Sequence, residues 1–211
     1  MCSPISFFAL AVALAILTSC GSPSSTGESA PAPPPVSVSD TTNLAAAETA
    51  SFPAQMETIA EAVATWRNAE TLQEAHAAAE MAANLVVGPN GPGNGDRNGD
   101  GLIGGQTAFG VLPGLDGTPA GLATELAAND CIVRDVLGGP WTDPDAEWEA
   151  MLTAIDNWRP DNNTMPSLAS HPMRIVGWAT FTLESESLDE AHEYAGHANL
   201  HVNVALRALD C

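Results

Sequence analysis

The sequence predicts an all-α fold, a four-helix-bundle-like core of two duplicated helical hairpins with a long loop and extra helices inserted between them. Three observations carry that expectation. From Ser51 onward apolar residues recur at helical spacing, and no stretch shows the period-2 alternation of a strand. The segment Glu70-Thr71-Leu72-Gln73-Glu74-Ala75-His76 returns as Glu186-Ser187-Leu188-Asp189-Glu190-Ala191-His192, identical at Glu, Leu, Glu, Ala and His. Upstream of each copy an apolar helix starts near a methionine, Met56 and Met173. Two such hairpins bury their apolar faces most simply against each other.

The elements follow in order. Met56, Ile59, Ala60, Val63 and Trp66 mark a first helix, with Pro53 suited to its first turn. Leu72, Ala75, Ala79, Ala82, Leu85 and Val86 mark a second, ended by Gly88-Pro89. A Gly/Asn/Asp-rich loop occupies residues 89–118. Pro119 to Val136 reads as a third helix with Leu122, Leu126 and Val133 on one side. Asp143 is an N-cap before Pro144, Asp145 and Glu147, opening a helix that runs to Trp158. His171 to Leu183 and Leu188 to Leu209 complete the set. The tryptophans read as packing residues, with a carbohydrate platform on Trp148 and Trp158 as the sharper alternative.

The helical domain spans residues 51–211, behind a signal segment (1–19) and a Pro/Ser-rich stretch (20–50). Ile5 to Leu17 is an apolar run of signal-peptide length, and Leu17-Thr18-Ser19-Cys20 follows it directly. These residues resemble the lipobox of bacterial lipoproteins, although Met1 to Pro4 lacks the usual basic residue. The resemblance implies that Cys20 carries diacylglycerol as the first mature residue and that the domain lies in the cell envelope, outside the cytoplasm. Its membrane partner is then its own lipid anchor. Residues 20–50 hold too few large apolar groups to fold, and as a coil they reach roughly 30 Å.

Acids outnumber bases 26 to 6, every base is Arg, and the net charge is −20. A chain of that sign repels nucleic acid, which is excluded as a partner, and it suits a salty exterior that screens self-repulsion. Of four cysteines, Cys2 leaves with the signal and Cys20 takes lipid. Cys131 and Cys211 remain, an even pair in an oxidising compartment, and a disulfide is expected.

Asp96, Asn98 and Asp100 alternate ahead of Gly101, and Leu102 and Ile103 follow. These residues resemble the front half of an EF-hand or dockerin calcium loop. The likeness implies side-chain oxygens from Asp96, Asn98 and Asp100 and a carbonyl from Leu102. The back half departs, because Gly104 and Thr107 stand where further oxygens belong and Gly104-Gly105 does not open a helix. Calcium takes about six to eight oxygens, so water, Asn94 or Asp116 must complete the shell. The expectation is a non-helical calcium loop that orders the connection; the alternative is a turn held by its own side chains.

Four of the five histidines lie on the repeat helices. Glu193, His197 and His201 are spaced to share one helix face, with His192 and His76 nearby in register. A transition metal is the chemistry such a face allows. The repeat also aligns Met81 with His197, which resembles the axial ligation of bundle cytochromes and implies a non-covalent haem. Glu-x-x-His is absent from both copies, against a di-iron site, and His192-Glu193-Tyr194-Ala195-Gly196-His197 is one residue too long for a zinc-protease motif. No nucleophile elbow or phosphate loop stands behind an enzymatic reading. The sequence therefore predicts a calcium-stabilised binding or structural module for an unidentified protein or small molecule, with metal or haem handling through the histidines as the alternative.

Overall fold

The computed structural model describes residues 50–211. Residues 1–49, with the signal segment, Cys20 and all but the end of the 20–50 stretch, lie outside the described residues. The fold is all-α: α1 (Phe52–Arg67), α2 (Leu72–Val87), α3 (Pro144–Asp156), α4 (His171–Glu184) and α5 (Leu188–Arg207). No strand forms among the described residues, only an isolated bridge between Arg159 and Asn162.

Each long helix starts where a side chain can take its first free amides. Ser51 caps α1, Asp143 caps α3 and Ser170 caps α4. The two repeat segments supply matching caps. Thr71 accepts from the Glu74 amide while Glu74 accepts from the Thr71 amide, and the Ser187 hydroxyl accepts from the Glu190 amide and donates to its carboxylate.

The helices form a bundle of two hairpins. α1 packs along α2 and α4 along α5, while α2 lies against α4 and α1 against α5. The core divides bulky from small. α1 and α4 contribute Met56, Ile59, Trp66, Met173, Ile175, Trp178 and Phe181, all buried. α2 and α5 offer mainly buried alanines, Ala75, Ala79, Ala82 and Ala83 against Ala191, Ala195, Ala198 and Ala205, with Leu85, Val86 and Val202 toward their C-terminal ends. Large side chains from one pair fill the space that small ones on the other leave open, which gives dense packing without overfilling.

The segment between α2 and α3 departs from expectation. In place of one helix over Pro119–Val136 there are 3-10 turns at Leu115–Gly117 and Leu122–Leu126 and a π-helical turn at Ile132–Leu137. The amides needed for an α-helix are spent elsewhere: Leu122 and Ala123 donate to the carbonyls of Gly110 and Val111. Asn129 then restarts the chain, its side-chain oxygen accepting from Cys131 and Ile132. The 110–112 stretch in turn gives its amides to the last carbonyls of α2, Val111 to Leu85 and Leu112 to Val86. That close approach requires Gly88 (φ 67), where a Cβ would lie 2.2 Å from the Gly110 nitrogen.

α3 ends before Trp158, so that residue and Trp148 do not share a helix. Trp148 is buried, donates to the Pro113 carbonyl at 2.9 Å and meets Trp141 edge-on at 5.2 Å. It offers no sugar platform. Cys131 and Cys211 sit at disulfide distance, their Cα atoms 6.1 Å apart, which joins the chain end to the π-helical turn.

Candidate functional site

The loop of residues 93–105 owes its shape to two tiers of hydrogen bonds. The inner tier is local. One Asp96 carboxylate oxygen accepts from the Gly99 and Asp100 amides and the other from Gly101. Asn98 accepts from the Asp100 amide, and Asp100 accepts from the Leu102 amide and from the Asn98 side chain. Gly101 (φ 86) makes the turn that this wrapping needs.

The outer tier comes from α2. Glu80, 1% exposed, accepts from the Arg97 and Asn98 amides at 2.7 and 2.9 Å and from the Gly104 amide at 2.9 Å. Asn84, fully buried, donates to the Gly95 and Gly104 carbonyls and accepts from the Gly95 amide. Gln55 of α1 closes the far end by donating to Leu85 and Phe109. Arg97 reaches the other way, to the Thr180 hydroxyl of α4 at 2.7 Å. Burial pushes its guanidinium below the usual arginine range, and the nearby Glu80 and Glu184 carboxylates oppose that shift. The loop is thus clamped between α2 and α4.

Tested against calcium, the residues fit in part. Asp96, Asn98 and Asp100 gather on one turn beside Leu102, and their oxygens keep lone pairs after the bonds described. Thr107 turns to Gln55 and Phe109, and the Gly104 amide goes to Glu80. Asp116 lies by the start of α3, where its amide donates to Asp145. Leu102 and Ile103 are exposed, at 72% and 43%.

The histidines take separate partners. His201 meets His171 of α4, Nδ1 to Nδ1, at 2.9 Å, so one ring must present its Nδ1–H to the other. His197 stacks on Trp178 with centroids 4.3 Å apart. His192 meets the Ala69 carbonyl at 3.0 Å, and the buried His76 Nε2 has no partner among the described residues. Glu193 is exposed, and Met81 lies under Gly104 and Gly105 of the loop. Among the described residues no three His, Cys, Asp or Glu side chains gather closely enough to hold a metal ion. Burial, then the charges of His171, Arg174 and His197, push His201 down to about 3. His171 is lowered as well, first by burial and then by Arg174, against Asp135.

Asn84 and His171 escape the sequence reading, and Glu80, spaced to share a helix face with His76, holds the loop instead. Glu80 and Asn84 are polar positions one turn apart inside the Ala-rich stretch of α2, and that interruption was the available signal. His171 lies outside the repeat and carries no spacing cue. No family model matches the chain, no curated protein is similar to it and no solved structure shares its fold at a significant level.

Proposed function

We propose that this chain is a cell-envelope lipoprotein, anchored through Cys20, whose helical domain is a binding or structural module that calcium stabilises at residues 96–102. The observation that carries the calcium reading is the Asp96 carboxylate. It collects three consecutive amides and so sets the oxygens of Asn98 and Asp100 on the same exposed turn. A bound calcium would neutralise two carboxylates in a chain of net charge −20. The clamp from Glu80 and Asn84 supports a structural role for the ion, because a loop fixed to α2 at both ends has little freedom to open as a sensor would.

The test is thermal unfolding of the full chain with and without calcium. At a hundredfold excess over Kd the ion adds about 2.7 kcal/mol, a shift of several degrees. Asp96→Ala combined with Asp100→Ala removes that shift, and a parent that shows none defeats the calcium reading. Anchoring is tested separately, since Cys20→Ala moves the chain from the membrane fraction to the soluble one.

A second reading, transition-metal handling, has in its support the facing His171 and His201 nitrogens alone, because His192 and His197 are turned to Ala69 and Trp178. Copper or zinc retained at one equivalent, and lost in His171→Ala, would favour it over calcium.

A further inference from the structure

On the side of the bundle where α4 turns into α5, an open cleft of about 530 Å³ has walls of two chemistries. The aromatic wall is Trp158, Phe181 and Tyr194. Trp158 stacks on Phe181 with centroids 4.4 Å apart and stands edge-on to Tyr194 at 6.1 Å. The other wall is carboxylate: Glu184, Glu186 and Glu190 line the same space, with Asp156 at its edge. One base is present, Arg159, but it folds back to donate to the carbonyls of Asp156 and Trp158. The cleft therefore carries a surplus of negative charge beside a cluster of aromatic rings. Tyr194 reports the same field, its hydroxyl raised first by burial and then by Glu190, Glu193 and Glu184.

A second cavity of about 290 Å³ adjoins the first and shares Trp158, Glu190 and Tyr194 with it. Trp178, 4% exposed, lines this cavity. The indole N–H groups of Trp158 and Trp178 are buried and find no acceptor among the described residues. Both rings line the second cavity, and a buried indole N–H without an acceptor is a donor that a ligand oxygen satisfies once the ring edge shifts to expose it.

We propose that this double cleft binds a small organic cation of the quaternary ammonium class that carries an oxygen near its charged head. A quaternary ammonium has no N–H to offer a carboxylate, so ring faces together with unpaired carboxylates suit it better than they suit a metal ion. The cation occupies the first cavity between Trp158, Tyr194 and the Glu184–Glu190 side, and its oxygen reaches toward the indoles of the second. The inference rests on the binding-module reading and gives it a ligand class. It is independent of the calcium loop, which lies on α2.

Choline is the probe, titrated into the full chain with intrinsic tryptophan fluorescence as the readout. We expect saturable change with Kd on the order of 1 mM or tighter. The neutral isostere with carbon in place of the ammonium nitrogen should bind at least about tenfold more weakly, since that difference isolates the charge. Tetramethylammonium, which lacks the oxygen, should bind more weakly than choline. Glu186→Gln combined with Asp156→Asn changes two exposed side chains of the cleft wall that cap no helix and hold no hydrogen bond among the described residues. That variant should melt like the parent yet lose binding several-fold. The proposal is overturned if choline gives no saturable signal, if the neutral isostere binds as well, or if the double variant binds unchanged. The calcium-dependent melting shift is measured on the same samples, so failure of the cleft and failure of the calcium reading show separately.

Discussion

α2 and α5 begin alike and end with opposite duties. Thr71 with Glu74 and Ser187 with Glu190 open the two helices with a hydroxyl cap on the same amide, and His76 and His192 follow at the same register. One turn later the copies part. Where α2 carries Glu80 and Asn84, the aligned positions of α5 are Gly196 and Leu200. Glu80 and Asn84 are buried because a loop covers them and consumes their hydrogen bonds. Leu200 is 60% exposed, and nothing covers it. The histidines follow suit: His192 finds the Ala69 carbonyl, while His76 finds no partner. A capped start is set by a few local residues, whereas the face a helix presents depends on what the chain lays across it.

That contrast can be broken most severely at Glu80. Glu80→Ala leaves three half-buried amides without an acceptor and Arg97 without its main compensating charge. A loss of about 3–5 kcal/mol is expected in urea unfolding. Replacing Cys131 and Cys211 by Ser frees the end of the α5 copy and opens a span of 80 residues. The expected cost is about 2–4 kcal/mol, read from the same experiment.

Acid sharpens the contrast from the α5 side. His171 and His201 are both lowered in the fold, His201 to about 3. The unfolded chain therefore binds more protons than the folded one as pH falls below the ordinary histidine value. The two histidines' contribution to stability is complete above about pH 6.5 and is lost as pH falls toward the folded value of His201, about 3. The melting temperature should fall by several degrees between about pH 7 and about pH 5, and His201→Gln should flatten that slope.

The smallest effects are reserved for the uncovered α5 positions. A Cβ at Gly196 meets nothing within 4 Å, so Gly196→Ala should stabilise by about 0.5–1 kcal/mol through helix propensity. Leu200→Asn should stay within about 0.5 kcal/mol of the parent, although the same residue type at position 84 holds the loop.

The fold was legible where local rules act. Asp143 marks a helix start by side-chain chemistry that a few neighbouring residues contain, and the repeated segments around Thr71 and Ser187 place the starts of α2 and α5. It was not legible at Pro119–Val136, where the Leu122 and Ala123 amides answer to carbonyls at residues 110 and 111 brought near by the loop. The candidate site divides the same way. The Asp96-Asn98-Asp100-Gly101 spacing announces the inner turn, because those bonds span a few residues. Nothing in the order of residues ties Glu80 to Gly104 or His171 to His201, since those pairs exist only once the helices are packed.

The Glu80 clamp also bears on how the molecule opens. The amides of Arg97, Asn98 and Gly104 belong to no helix, yet each is bonded to a side chain of α2. Solvent hydrogen can replace theirs only when the loop and α2 part. In hydrogen exchange those three amides should therefore keep pace with the interior of α2, while the neighbouring Gly93, whose amide has no partner among the described residues, exchanges faster. A stretch without secondary structure would then open and close with a helix as one cooperative unit.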